Sequence, residues 1–287
     1  MVASTAPLNE RAMLVHLLIR QWTGQKFDKK ATEVVATHTG AKEAAGRYYK
    51  KLIRSTPLHA YSLNADRARF LNYKLTLPWL DGGTRILPSS MYLDYMKRMR
   101  EHRELAQQHA AEFVADYPEA RRRAREELGD LYQSKQYPDP RTMEDRFSFD
   151  VNILPIPAAS DFRVEVGKDA DTIRKGIKSH VDQMAASAME DIWTRVFNAV
   201  AKLAERLEGD KVFKATTITN VVELADLLPK LNITGDPKVE EMSKTLKERF
   251  GKLEAGTLRA DEKLRAQTQQ VAADIVKKTE DFLKAFQ

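Results

Sequence analysis

The chain contains no cysteine. Disulfides, thiolate nucleophiles, zinc ribbons and iron–sulfur clusters are excluded together, because each needs that side chain. Histidine is scarce: the six residues His16, His38, His59, His102, His109 and His180 include no i, i+4 pair and no His-Glu-x-x-His. A dedicated histidine metal site is therefore not expected, although carboxylate-held magnesium stays open. Long apolar runs are missing too. The longest is a handful of residues, against roughly 20 for a bilayer span, and Met1 opens onto no charged-then-apolar leader. The expectation is a soluble protein that stays in the cytoplasm and meets no membrane.

Signatures of phosphate-cradling loops are also absent, with no G-x-x-x-x-G-K-[ST] and no G-x-G-x-x-G. Gly82-Gly83-Thr84-Arg85 has the backbone N–H groups and the guanidinium to hold one phosphate, but a plain Gly-Gly turn explains it as well. No G-x-S-x-G occurs. The acidic pairs Glu126-Glu127, Glu240-Glu241 and Glu280-Asp281 are adjacent on expected helices, so their side chains point apart and suit solvated faces. No catalytic residue and no cofactor is expected.

What is present is size, core-forming capacity and charge. The 287 residues are 43% apolar and 31% charged, enough for one large domain or two ordinary ones. The net charge of +6 is unevenly spread. Residues 1–103 hold 18 Lys+Arg against 8 Asp+Glu, leaving 29 against 33 for residues 104–287. Such imbalance is the usual footprint of an anionic partner, with solvated helix faces as the alternative.

Patterning places three strand-like stretches and many helices. Met13 to Trp22 alternates as a strand does, with Met13, Val15, Leu17 and Ile19 forming one apolar face, and a buried helix is the competing reading because the run is short. Gly24 ends that element, and Lys29–Thr37 and Ala41–Arg54 read as short helices separated by Gly40. Leu58–Leu75 has helical spacing. Leu77 to Pro88 reads as a shaped loop, because two prolines bracket the Gly-Gly pair. A helix capped by Ser89 or Ser90 is expected to run to about Ala115, and Pro118 to start another, rich in arginine at 121, 122, 123 and 125. Phe147–Leu154 and Phe162–Val166 alternate and are expected, with the stretch near residue 18, to form a small antiparallel sheet. From Lys168 onward the chain reads as helix. Ile173, Ile177, Val181, Met184, Ala188, Ile192, Val196, Val200, Leu203 and Leu207 step by three or four, and further helices are expected near 215–228, 237–250 and 258–286.

The fold class that follows is α+β, predominantly α-helical: a long-helix bundle with a small antiparallel β-sheet. Two parts are expected, a basic α+β region at 1–167 and a helical scaffold at 168–287. The length of the last helix suits self-association into a homo-oligomer, and equally an intramolecular bundle.

The constellation that survives is the aromatic and basic front. Arg20, Lys26, Lys29, Lys30, Arg47, Lys50, Lys51, Arg54, Arg67, Arg69 and Arg85 are the candidate phosphate contacts, and Tyr48 and Tyr49 the candidate stacking rings. Trp22, Phe70 and Trp79 are expected in the core instead. Charge combined with stacking is how single-stranded nucleic acid is held without reading its sequence.

Several segments carry a resemblance. Gln21-Trp22-Thr23 leading to Asp28-Lys29-Lys30, then Ala45-Gly46-Arg47-Tyr48, Leu77-Pro78-Trp79 through Arg85-Ile86-Leu87-Pro88, and Phe149-Asp150-Val151 through Pro155-Ile156-Pro157 to Asp161-Phe162-Arg163-Val164 resemble a group of phage-borne hypothetical proteins found among replication and recombination genes. The likeness covers most of the chain and carries no catalytic residue. It implies a phage context and a role in handling DNA in the host cytoplasm. The expected function is non-enzymatic binding of single-stranded DNA during phage replication or recombination. The alternative is a phage structural or assembly protein whose basic face meets an acidic protein or packaged genome. A weaker third is an accessory factor or metal-dependent nuclease with scattered carboxylates.

Overall fold

A computed structural model describes residues 7–79, 83–158, 168–209 and 213–286. Its elements in chain order are α1 (Leu8–Arg11), β1 (Ala12–Arg20), β2 (Gln25–Phe27), α2 (Lys29–Thr39), β3 (Tyr49–Lys51), α3 (Thr56–Leu75), β4 (Leu77–Pro78), β5 (Thr84–Pro88), α4 (Tyr92–Leu128) and β6 (Ser148–Leu154). The rear of the chain adds α5 (Lys168–Leu207), α6 (Ala215–Leu231), α7 (Pro237–Phe250), α8 (Ala255–Ala260) and α9 (Glu262–Leu283). The strands form a four-stranded sheet of order β4-β5-β1-β6 and a separate β2-β3 ribbon. The class is thus α+β and mainly helical with a small antiparallel sheet, as the patterning requires.

The chain divides into two compact units, but not at a single sequence point. One comprises Met1–His16, Asn72–Tyr95 and Asn152–Gln287, the other Leu17–Leu71 and Met96–Val151. This division differs from the expected 1–167 and 168–287, because segments distant in sequence build each unit. A composition shift along the chain does not reveal that interleaving.

The first unit is the helical scaffold. Ala188, Ile192, Val196, Val200, Leu203 and Leu207 of α5 are sealed, whereas Ile173, Ile177, Val181 and Met184 on the same stripe are only half-buried. Over 40 residues α5 extends about 60 Å at 1.5 Å per residue. Its apolar stripe is matched by Ile218, Val221, Ala225 and Leu228 of α6, Val239, Met242, Leu246 and Phe250 of α7, and Ala272 and Ile275 of α9. Trp193 of α5 meets Phe282 of α9 with ring centroids 4.5 Å apart. Here the face of α9 is covered by its own chain.

Residues 77–88, expected as a loop, instead supply two strands. β4 and β5 pair antiparallel, Leu77 opposite Ile86 and Pro78 opposite Arg85, and β5 pairs with β1 from Ala12–Pro88 to His16–Thr84. The prolines are tolerated because β4 is an edge strand and Pro88 ends β5, where a missing N–H costs no central ladder bond. Leu14 and Val15 are both buried, so β1 is covered on both sides there and does not follow the simple one-faced alternation expected. The expected strand at Phe162–Val166 lies outside the described residues.

The second unit is built on α4, and it corrects two boundaries. The helix passes through Pro118 without ending. Its buried stripe Phe113, Tyr117, Ala120 and Ala124 continues across the proline, and burying it offsets the roughly 3 kcal/mol that an interior proline costs. The expected helix at Ala41–Arg54 is a short 3₁₀ turn at Glu43–Ala45 followed by β3. Gly40, left-handed at φ 66°, closes α2, and the extended Gly46 leads into pairing with β2. Leu52, Ile53 and Leu58 then join the α4 stripe, with Trp22 against Phe113 and Tyr117 at 5.9 and 5.7 Å. The Tyr137 hydroxyl donates to the Leu52 carbonyl at 2.8 Å, and that of Tyr117 to the Pro138 carbonyl at 2.9 Å. The ribbon is therefore fastened to α4 through a packed and hydrogen-bonded floor. Among the described residues no helix is long and apolar enough to cross a membrane.

Candidate nucleic-acid interface

The whole charge excess belongs to the second unit. Its segments carry 22 Lys+Arg against 16 Asp+Glu, while those of the first carry 25 against 25. The front of the sequence is thus only part of the basic surface, since residues 96–151 contribute eleven cations of their own.

The β2-β3 ribbon presents the aromatic residues. Its register sets Gln25 opposite Lys51, Lys26 opposite Lys50 and Phe27 opposite Tyr49. Partners across a ribbon share a face, so Gln25, Phe27, Tyr49 and Lys51 lie together on one side. Phe27 is 41% and Tyr49 53% exposed, and their ring centroids are 5.8 Å apart. Tyr48, also exposed, is locked through its backbone. Its N–H donates to Thr32 Oγ1 and its carbonyl accepts from the Asp28 N–H, both at 3.0 Å.

The ribbon's other side corrects one expected phosphate contact. Lys50 is sealed, with 1% of its surface exposed. Its ammonium lies 2.8 Å from Asp28 Oδ2 and donates to the Leu131 carbonyl at 2.6 Å. It reaches no solvent and hence no phosphate. Asp28 also caps α2, accepting from the Ala31 N–H at 3.1 Å. The Lys50 hydrogen bond, helped by the Ala31 N–H, holds the Asp28 carboxyl below its ordinary value.

Beyond Leu131 the chain turns into a basic recess of about 880 Å³, lined by Lys30, Arg121, Arg125, Tyr132, Gln133, Ser134 and Lys135. Four of the seven are cations and none is acidic. Arg121 and Arg125, one helical turn apart, share a face of α4. Arg121 donates to the Tyr132 hydroxyl at 3.3 Å, which raises the guanidinium's pKa, and stacks over Tyr137 at 5.6 Å. Among the described residues Lys30, Arg125 and Lys135 form no ion pair. The neighbouring Arg122 and Arg123 differ, since Glu119, Glu126 and Asp116 take their guanidinium groups. Arg121, Arg125 and Lys135 were not among the sequence candidates. The i, i+4 spacing inside the arginine run was the available signal; the meeting with Lys30 was not legible.

The remaining candidates scatter. Lys26, Lys29, Arg47, Lys51 and Arg54 are exposed, with Lys29 paired to Glu33 at 3.3 Å and Arg54 to Glu127 at 3.9 Å. Arg20 and Arg67 are exposed as well, while Arg69 is half-buried and bonded to Asp66 at 3.0 Å. Arg85 belongs to the other unit and is occupied there, donating to Thr76 Oγ1 at 2.6 Å and to the Thr76 carbonyl at 3.1 Å, 4.7 Å over the Tyr73 ring. It is therefore not a free phosphate contact. Trp79 is buried as expected, Trp22 is only partly buried against the core, and Phe70 is 69% exposed.

No family model, curated protein or solved structure matches the chain. Among the described residues no three His, Asp or Glu side chains converge in a way that could hold a metal ion.

Proposed function

We propose that the second unit binds a single strand of nucleic acid. The carrying observation is twofold: a recess in which Lys30, Arg121, Arg125 and Lys135 converge with no acid among its described lining residues, and a ribbon in the same unit that exposes Phe27 and Tyr49. Lys50 joins the two, since it bonds both Asp28 at the start of α2 and Leu131 at the edge of the recess. Cations hold the backbone, and exposed rings stack on bases whatever their identity. The resemblance to phage-borne proteins of replication and recombination makes DNA the strand to test first.

Fluorescence anisotropy with single- and double-stranded oligonucleotides at two salt concentrations tests the reading. The expected result is tighter binding of the single strand, weakening with added salt. A protein that ignores both oligonucleotides at low salt overturns it and turns attention to an acidic protein partner.

A further inference from the structure

Beside the ribbon a slot of about 310 Å³ opens between α2 and the segment that follows it. Thr32, Val35, Ala36 and Thr39 of α2 form one wall, and Ala41, Lys42, Ala45, Gly46, Arg47 and Tyr48 the other. The volume is at the small end of the range for ligand pockets. Alanine, valine and threonine side chains dominate its described lining, which also includes the exposed Lys42 and Arg47; none of the described lining residues is acidic. Tyr48 is held there by the two backbone hydrogen bonds that fix it to Thr32 and Asp28.

We infer that this slot takes one base of the bound strand, with Tyr48 against its ring and Arg47 and Lys42 on the adjoining phosphates. The inference deepens the strand-binding reading and rests on it. A flat ring with apolar faces, joined to an anionic backbone, matches a slot rich in methyl groups that also includes two exposed cations. The hydrogen-bonding state of the slot also sets what it can recognise. The Thr32 hydroxyl donates to the Asp28 carbonyl at 2.8 Å and that of Thr39 to the Val35 carbonyl at 2.7 Å. Both threonine protons are committed to backbone, so neither hydroxyl donates to a base edge. The slot selects a ring mainly by shape, and towards a base edge these hydroxyls can only accept.

The test is a cycle of two proteins and two ligands. The wild type and Ala36→Leu, which fills the slot with a good helix former, are titrated with a mixed-sequence single strand and with an abasic backbone of the same length. The expected result is that Ala36→Leu weakens binding of the normal strand by about fivefold or more, leaves the abasic backbone unaffected and keeps the salt dependence of both. Equal loss on both ligands, or none on either, overturns the inference. Ala45→Val, which fills the slot from the opposite wall, must give the same pattern and serves if Ala36→Leu does not fold. If the wild type binds neither ligand, the strand-binding reading itself fails. If it binds both with the expected salt dependence and the filled variants match it, only the slot is lost.

Discussion

The ammonium of Lys50 lies 2.8 Å from the carboxylate of Asp28, and both side chains are cut off from solvent, at 0% and 8% exposure. Removing one partner of such a pair strands the other without its counter-charge. Lys50→Ala also takes away the donor to the Leu131 carbonyl, which stands next to the basic recess. The expected cost is roughly 3 kcal/mol, read as a lowered urea midpoint. The double change with Asp28→Ala should cost less than the sum of the single ones. Lys51→Ala, one residue on and exposed, should stay within about 0.5 kcal/mol of the wild type.

The same pair gives the unit an acid-sensitive component. The carboxyl of Asp28 is held below its ordinary value of 3.8, chiefly by the hydrogen bond from Lys50. In the unfolded chain the group returns to about 3.9. The unfolded state therefore binds more protons in acid, so the stabilisation is complete above about pH 4 and is lost as pH falls through the folded value. Urea midpoints of the wild type and Asp28→Asn should differ by a constant amount between pH 5 and 7 and converge below pH 4. A difference that grows in acid would contradict the assignment.

Salt dependence separates the free cations from the paired ones. Lys30 and Arg125 line the recess and lack ion-pair partners among the described residues, so each is available to displace a counterion. Replacing both with alanine should flatten the log–log slope of single-strand affinity against salt by about 0.7 per lost phosphate contact. Arg122→Ala should change the slope much less, because its guanidinium already meets Glu119 and Glu126 at 2.7 and 2.8 Å. Equal slopes for the two variants would mean that the recess is not where the strand lies.

How much of this was legible varies with the range of the interaction responsible. The stripe Ile192, Val196, Val200 and Leu203 was visible because helical periodicity is local, and so was the end of α2 at Gly40. The run through Pro118 was not. A proline speaks locally for a break, while the packing of Phe113, Tyr117 and Ala120 that overrides it comes from residues far away in sequence. Lys50 shows the same limit at the site. As text it is one more cation beside two tyrosines; only the return of Leu131 over β3 and the capping role of Asp28 make it an interior residue. Arg125 errs in the other direction. In the sequence it is one of four arginines in a helical run, and its proximity to Lys30 depends on how α4 meets α2, which no spacing rule encodes.

The ribbon's rings supply the last prediction. Phe27 and Tyr49 face each other across β2 and β3 with no further strand on either side among the described residues, and about half of each residue is open to water. A two-stranded ribbon gains little from leaving two aromatic rings there unless something covers them, and a base covers a ring face without needing a matched hydrogen bond. Phe27→Ala combined with Tyr49→Ala removes that surface but no charge. Affinity for a single strand should therefore fall by at least about thirtyfold, from about 1–3 kcal/mol for each of the two lost stacks, while the salt slope stays that of the wild type. Far-ultraviolet circular dichroism should be unchanged, because the core that carries the ribbon is formed by Leu52, Ile53, Phe113 and Tyr137 and not by these rings. A fall in the salt slope in this variant would show that the rings shape the path of the backbone instead of holding the bases.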